Sequence, residues 1–226
     1  MSVNIEQYTS IKNQLGENVK LIAVSKMRTV EEIKVLYYLG HRDFGENYVQ
    51  ELMAKQLELP KDIRWHFIGH LQSNKVKYIA PFIHAIHAVD SFNLLEEIDR
   101  QALKNERIIN CLLQVHIAQE ETKFGLDAKE VKELVNSLPK YKQLNKLANV
   151  KICGLMGMGS FSDDQEQVRK EFKYLKCLFD DTKSDLNSSS FRQLSMGMSN
   201  DFSLAVEEGS TMVRIGSLLF GKRPDR

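Results

Sequence analysis

The sequence predicts an α/β protein in which parallel strands, each followed by a helix, close into a (β/α)8 barrel. Three observations carry this expectation. Strand-like and helix-like segments alternate along the chain, eight such pairs can be traced, and "IINCLLQVHI" is continuously apolar. A run of that kind suits a parallel strand buried on both faces. Strands alternating with helices pair in parallel, and eight units are the number that closes a barrel. An open, doubly wound sheet is the competing arrangement.

The elements follow in order. "VKLIAVS" reads as strand one and "TVEEIKVLYYLG" as its helix, with Thr29 as N-cap, Glu32 at the capping-box offset and Gly40 as the stop. "RDFGE" is a short second strand before the helical "NYVQELMAKQLEL". "RWHFIG" and "IHAIHAV" are strands three and four, followed by "SNKVKYIAPF" and "NLLEEIDRQALKNE" as helices. After strand five, Asp127 opens the helix "DAKEVKELVNSL", and a second helical stretch is expected around "YKQLNKLA". "VKICGLMGMG" is strand six and precedes a long amphipathic helix, "DQEQVRKEFKYLKCLFDDTKSDL". "FRQLSMG" with "NDFSLAVEEG" and "TMVRIG" with "SLLFG" complete the series. No stretch has linker composition, so a single domain over residues 1–226 is expected.

Composition narrows the function classes. The 226 residues carry 42% hydrophobic and 27% charged side chains, ordinary for a globular protein. Lysine and arginine number 31 against 30 acids, a net charge of +1. No global field recruits nucleic acid or an anionic membrane, so any anion site is local. The three cysteines, Cys111, Cys153 and Cys177, fit neither a zinc framework nor C-x-x-C, and Cys111 and Cys153 read as small buried hydrophobes. No signal peptide and no spanning apolar run is evident, so a reduced, cytoplasmic setting is expected.

Barrels place their working residues at the C-terminal ends of the strands. Those ends hold Ser25–Lys26, Gly45–Glu46–Asn47, Gly69–His70, Asp90–Ser91, "EETKFG", "GMGSF", "SMGMSND" and "RIGS". The last two groups match the usual phosphate site of a barrel. Gly197 and Gly216 let backbone N–H groups approach a phosphate, and Ser195, Ser199 and Ser217 offer hydroxyls. Taken singly, each group also reads as ordinary turn residues. Arg214 interrupts an apolar strand and either reaches solvent or enters the site, where its permanent proton requires an acceptor. Lys26 has two readings. It attracts an anionic ligand, or its desolvated amine forms a Schiff base with an aldehyde. A phosphate grip across the mouth from such an amine suits pyridoxal 5'-phosphate.

Other candidates are weaker. His66 and His70 straddle a strand end, HExxH is absent, and His84 and His87 have opposite pleat parity in strand four, so no metal site is expected. His66 reads as a packed or cofactor-neighbouring residue. Glu46 and Asp90 are general acid or base candidates that more often cap helices or bind lysines. The glycines of "GLMGMGSF" do not fit G-x-G-x-x-G.

The segments "AVSK", "FGENYVQE", "WHFIGHLQSNK", "HAVDS", "GLMGMG", "LSMGMSND" and "GSTMVRIGSLLFG" occur in one order from about residue 20 to 221. Together they resemble the pyridoxal phosphate homeostasis (YggS/PROSC) family. The resemblance implies a modified (β/α)8 barrel of TIM type, like the N-terminal domain of alanine racemase. It implies pyridoxal 5'-phosphate bound as a Schiff base on Lys26, with Asn47 near the ring. Ser195, Gly197, Gly216 and Ser217 would hold the phosphate, and Arg214 would face the pyridine nitrogen. In "EETKFG" Lys123 and Gly125 keep the family pattern while their neighbours do not, which leaves the role of Lys123 open.

The resemblance further implies a monomeric carrier or buffer in vitamin B6 homeostasis, without established catalysis, with apoenzymes as candidate recipients of the cofactor. A full racemase adds a second, mostly β domain bearing a tyrosine base, and the expectation is that this chain has none. A weak cofactor-dependent amino-acid enzyme, such as a racemase, is the alternative.

Overall fold

Eight parallel strands hydrogen-bond in chain order: β1 (Lys20–Val24), β2 (Asp43–Glu46), β3 (Arg64–Phe67), β4 (Ala85–Val89), β5 (Ile109–Val115), β6 (Val150–Gly157), β7 (Gln193–Ser195) and β8 (Met212–Ile215). Strand β8 returns to β1, with Lys20 opposite Met212 and Ala23 opposite Ile215. That seam closes the barrel and excludes the open sheet. The computed structural model describes residues 3–119, 124–144, 147–186 and 188–221.

The helices are α1 (Ile5–Leu15), α2 (Val30–Tyr38), α3 (Val49–Glu58), α4 (Val76–Ile79), α5 (Phe92–Lys104), α6 (Ala128–Gln143), α7 (Gln165–Leu186), α8 (Phe202–Glu207) and α9 (Ser217–Phe220). Helix α2 starts where its capping residues dictate. Thr29 Oγ1 accepts the Glu32 N–H at 3.2 Å, and Glu32 Oε2 accepts the Thr29 N–H at 2.8 Å. Asp127 and Glu130 make the same exchange before α6. Helix α6 runs on through Pro139 and takes in the start of the second helical stretch, whose residues 145 and 146 lie outside the described residues. Before α4 the chain makes a 3-10 turn, Ser73–Lys75.

Helix α1 precedes the barrel and lies outside the strand–helix count. Asn4 caps it, accepting the Gln7 N–H at 2.9 Å, and Tyr8, Ile11 and Leu15 form its buried stripe. The Asn4 N–H donates to the Leu219 carbonyl at 2.8 Å, tying α1 to α9.

Two regions fill the molecule. The larger core lies between strands and helices and includes Phe44, Phe67, Phe172, Phe191 and Phe220, each fully buried. A separate cluster of Ala88, Leu112, Cys153 and Met156 comes from adjacent strands β4 to β6. The β5–β6 register steps from Cys111–Ile152 to Leu112–Gly154, so Cys153 is the extra residue of a bulge. Polar side chains are buried as well: His66, His87, Ser195 and Arg214.

Replacing the α2 cap, Thr29→Ala, is expected to lower stability by about 1 kcal/mol, read as a shifted urea midpoint with unchanged m-value.

Candidate functional site

A cavity of about 710 Å³ opens at the C-terminal ends of the strands. The ends of β1, β2 and β3 supply Lys26, Asn47 and Ile68. Met158 and Ser160 come from the loop after β6, and Met198 and Ser199 from the loop after β7. Arg214, Gly216 and Ser217 come from β8 and the turn into α9. Thus Lys26, Asn47, Arg214, Gly216 and Ser217 share one cavity, as sequence reasoning expects, and Ser199 joins them.

Ser195 and Gly197 are placed differently. Neither is among the described residues lining the cavity. Ser195 is fully buried beneath it, and its hydroxyl is engaged by Arg214 and His87. Gly197 has φ 93°, and a Cβ there would lie 2.5 Å from Ala205 Cβ, so it lets the β7 loop pack on α8. The pleat explains both: what a strand end presents to the mouth depends on register, which a motif does not encode.

The backbone around Lys26 is clamped from behind. Ser25 Oγ donates to Glu46 Oε1 at 2.6 Å. The buried Lys55 amine donates to the Ser25 carbonyl at 2.6 Å, to Glu46 Oε1 at 2.8 Å and to Glu51 Oε1 at 2.6 Å. Glu51 Oε1 also accepts the Met27 N–H at 2.5 Å. Met27 has φ 60°, a left-handed conformation that costs a non-glycine residue about 1 kcal/mol. Burial pushes the Glu46 carboxyl above its ordinary range, opposed by the adjacent Lys55 charge. Glu46 therefore binds a lysine, the plainer of its two readings. Asp90 Oδ2 lies 3.2 Å from His70 Nδ1, and neither acid is among the described residues lining the cavity. Helix spacing pairs Glu51 with Lys55, but their reach to β1 is tertiary.

Asn47 lines the cavity with its Oδ1 buried and no donor to it among the described residues. Gly69 allows that position, because a Cβ there would come within 2.5 Å of the Asn47 carbonyl.

Arg214 forms part of the floor and points into the barrel rather than to solvent. Nη1 donates to the Ser195 carbonyl at 2.9 Å and to Ser195 Oγ at 2.7 Å, and Nη2 donates to the Gly157 carbonyl at 3.0 Å. Burial lowers its pKa to about 10, with the Asp201 charge pulling the other way. Below it His87 Nδ1 lies 3.4 Å from Ser195 Oγ, His87 Nε2 lies 2.9 Å from His66 Nδ1, and His66 Nε2 lies 3.0 Å from Asp43 Oδ1. Arg64 holds Asp43 through Nε at 2.9 Å and Nη2 at 2.5 Å.

The histidines do not divide as parity predicts. His84 and His87 both flank His66, at ring-centroid distances of 5.2 and 5.0 Å. His84 precedes β4, so strand alternation does not govern it, and the register shifts between Ile86 and Val89. Among the described residues no group of three or more His, Cys, Asp or Glu is placed to hold a metal, and no helix is long and apolar enough to cross a membrane. Cys111 and Cys153 are buried, and burial pushes the Cys111 thiol up. Lys123 lies outside the described residues.

Residues 5–224 match the family model described as "Alanine racemase, N-terminal domain". The chain is 42% identical over 210 residues to the pyridoxal phosphate homeostasis protein of Aquifex aeolicus, covering 92% of this chain and 89% of that protein. It is similar to PipY of Synechococcus elongatus, whose structure was solved with PLP bound, with a TM-score of 0.84 and 38% identity over 96% of this chain and 99% of that one. Alanine racemase from Streptomyces coelicolor, 14% identical with a TM-score of 0.75 over 96% of this chain and 57% of that one, shares the fold.

Lys55→Met leaves Glu46 and Glu51 without their cation, and a stability loss of about 3 kcal/mol is expected. The Glu46 pKa is already raised in the folded state, so the penalty for its ionised form grows as pH rises. Urea denaturation should show a larger deficit at pH 8 than at pH 5; an equal deficit would contradict this account of the clamp.

Proposed function

This chain belongs to the pyridoxal phosphate homeostasis protein family, and on that premise we propose that it binds pyridoxal 5'-phosphate covalently on Lys26. Its role is intracellular vitamin B6 homeostasis, as a monomeric carrier and buffer rather than an enzyme. The observation that carries this reading is that an amine, a buried guanidinium and a glycine–serine turn line one cavity. The donor set fits the cofactor: Lys26 for its aldehyde, Ser199, Gly216 and Ser217 for its phosphate, Asn47 and Arg214 for its ring.

When bound, the cofactor would supply an aldehyde carbon reactive toward an amine and a ring able to draw electrons. The protein's residues bias this chemistry toward holding. Lys26 supplies the amine from a backbone clamped by Lys55 and Glu51. Arg214 offers only donors, so it discourages a proton on the ring nitrogen and makes the ring a poorer electron sink than a carboxylate partner would. Ser199 and Ser217 offer hydroxyls to the phosphate. The buffering role follows from an amine that captures a reactive aldehyde reversibly, and release at the open mouth makes the cofactor available to apoenzymes.

The test is borohydride reduction of the loaded protein followed by mass spectrometry. The adduct is expected on Lys26, and Lys26→Ala is expected to retain less than about a tenth of the occupancy. An adduct on another residue, or undiminished occupancy, refutes the assignment. Carrier and enzyme separate in deuterated solvent: with each amino acid in turn, α-proton exchange should run no faster than with free cofactor. Stereospecific exchange above that rate would instead establish the racemase-type reading.

A further inference from the structure

With neutral imidazoles, the polar chain under Arg214 has only one self-consistent arrangement of hydrogens. An arginine can only donate, and an ionised carboxylate can only accept. Burial pushes the Asp43 carboxyl up, but hydrogen bonds from Arg64 and His66 hold it well below the usual carboxylate range, so it is ionised. Burial disfavours a charged ring, and with both rings neutral every link from Asp43 to Ser195 must run one way. Arg214 Nη1–H donates to Ser195 Oγ, Ser195 O–H to His87 Nδ1, His87 Nε2–H to His66 Nδ1, and His66 Nε2–H to Asp43 Oδ1. Both imidazoles are neutral and carry their proton on Nε2. A second proton on His66 would oblige His87 to move its own hydrogen from Nε2 to Nδ1, because otherwise two N–H groups would face each other at the 2.9 Å contact between the rings.

The chain also crosses the barrel. His87 is on β4 and Ser195 on β7, which are not neighbours in the sheet, so their contact spans the interior. It begins at the barrel base, where Asp43 meets Arg64 and Lys20, and ends at the cavity floor. His84 packs beside His66 at that base.

We propose that Asp43, His66 and His87 are positioning residues for Arg214, forming a one-way hydrogen-bond relay that commits the Ser195 hydroxyl as acceptor and holds the guanidinium as a fixed cationic donor under the cofactor ring. The part concerning the ring rests on the reading that the cavity takes pyridoxal 5'-phosphate; the relay itself does not. Ser195 is thereby a support of Arg214, not a phosphate ligand. Burial, which lowers the pKa of both His66 and His87, agrees with neutral rings.

Two measurements test it. On the ligand-free wild type, ring ¹⁵N shifts should assign His66 and His87 as neutral Nε2–H tautomers at pH 7. An Nδ1–H tautomer or a protonated ring at either position overturns the relay. With pyridoxal 5'-phosphate as probe, His87→Leu is expected to weaken uptake about ten-fold and displace the visible absorption maximum of the bound cofactor. His87→Gln, which can accept from Ser195 and donate to His66, should restore both. A purely structural role would not be rescued spectroscopically by the amide. If His87→Leu does not fold, Ser195→Ala breaks the same link and should displace the same band. An unmoved band with undiminished uptake in the folded variant overturns the positioning role. A wild type that takes up no cofactor refutes the reading of the cavity, while the ring shifts still decide the relay.

Discussion

A guanidinium that keeps its proton lies inside a closed parallel barrel, and much of the structure follows from satisfying it. Arg214 sits on β8 with 4% of its surface exposed. An unpaired buried charge is among the most costly things a fold can contain. Its partners are the carbonyls of Ser195 on β7 and Gly157 on β6, with the Ser195 hydroxyl. All three depend on β6, β7 and β8 meeting in one register. The charge is thus tied to closure of the barrel, and closure puts the same side chain at the cavity floor.

The neighbouring strands β1 and β2 have a parallel solution built from a second buried cation. Lys55 stands between two glutamates and the Ser25 carbonyl, and through them it sets the chain on both sides of Lys26. The left-handed Met27 is held by the same glutamate that binds Lys55. Strain next to a functional side chain persists when its surroundings over-determine it.

Much of the architecture was legible in the residues. Alternation of apolar strand segments with amphipathic helices identifies all eight strands, and Thr29 with Glu32, and Asp127, mark helix starts. Helix α1 was not read, although Asn4 and the spacing of Tyr8, Ile11 and Leu15 carry its signal. Strand ends and motif resemblance single out Lys26, Asn47, Arg214, Gly216 and Ser217, and the structure brings these five to one cavity. Ser195 and Gly197 were placed at the cavity wall by the same motif, and the structure puts them below and behind it.

The sequence by itself determined the strand–helix order, and with it the end of the barrel where chemistry-bearing residues collect. Those are consequences of local periodicity and capping, which neighbouring residues specify. Only the tertiary structure decided closure over an open sheet, the burial of Arg214, and the alignment of Asp43, His66, His87 and Ser195 into one chain. These depend on register between strands far apart in sequence. A one-residue slip reverses which face a side chain occupies, and no local pattern records that choice.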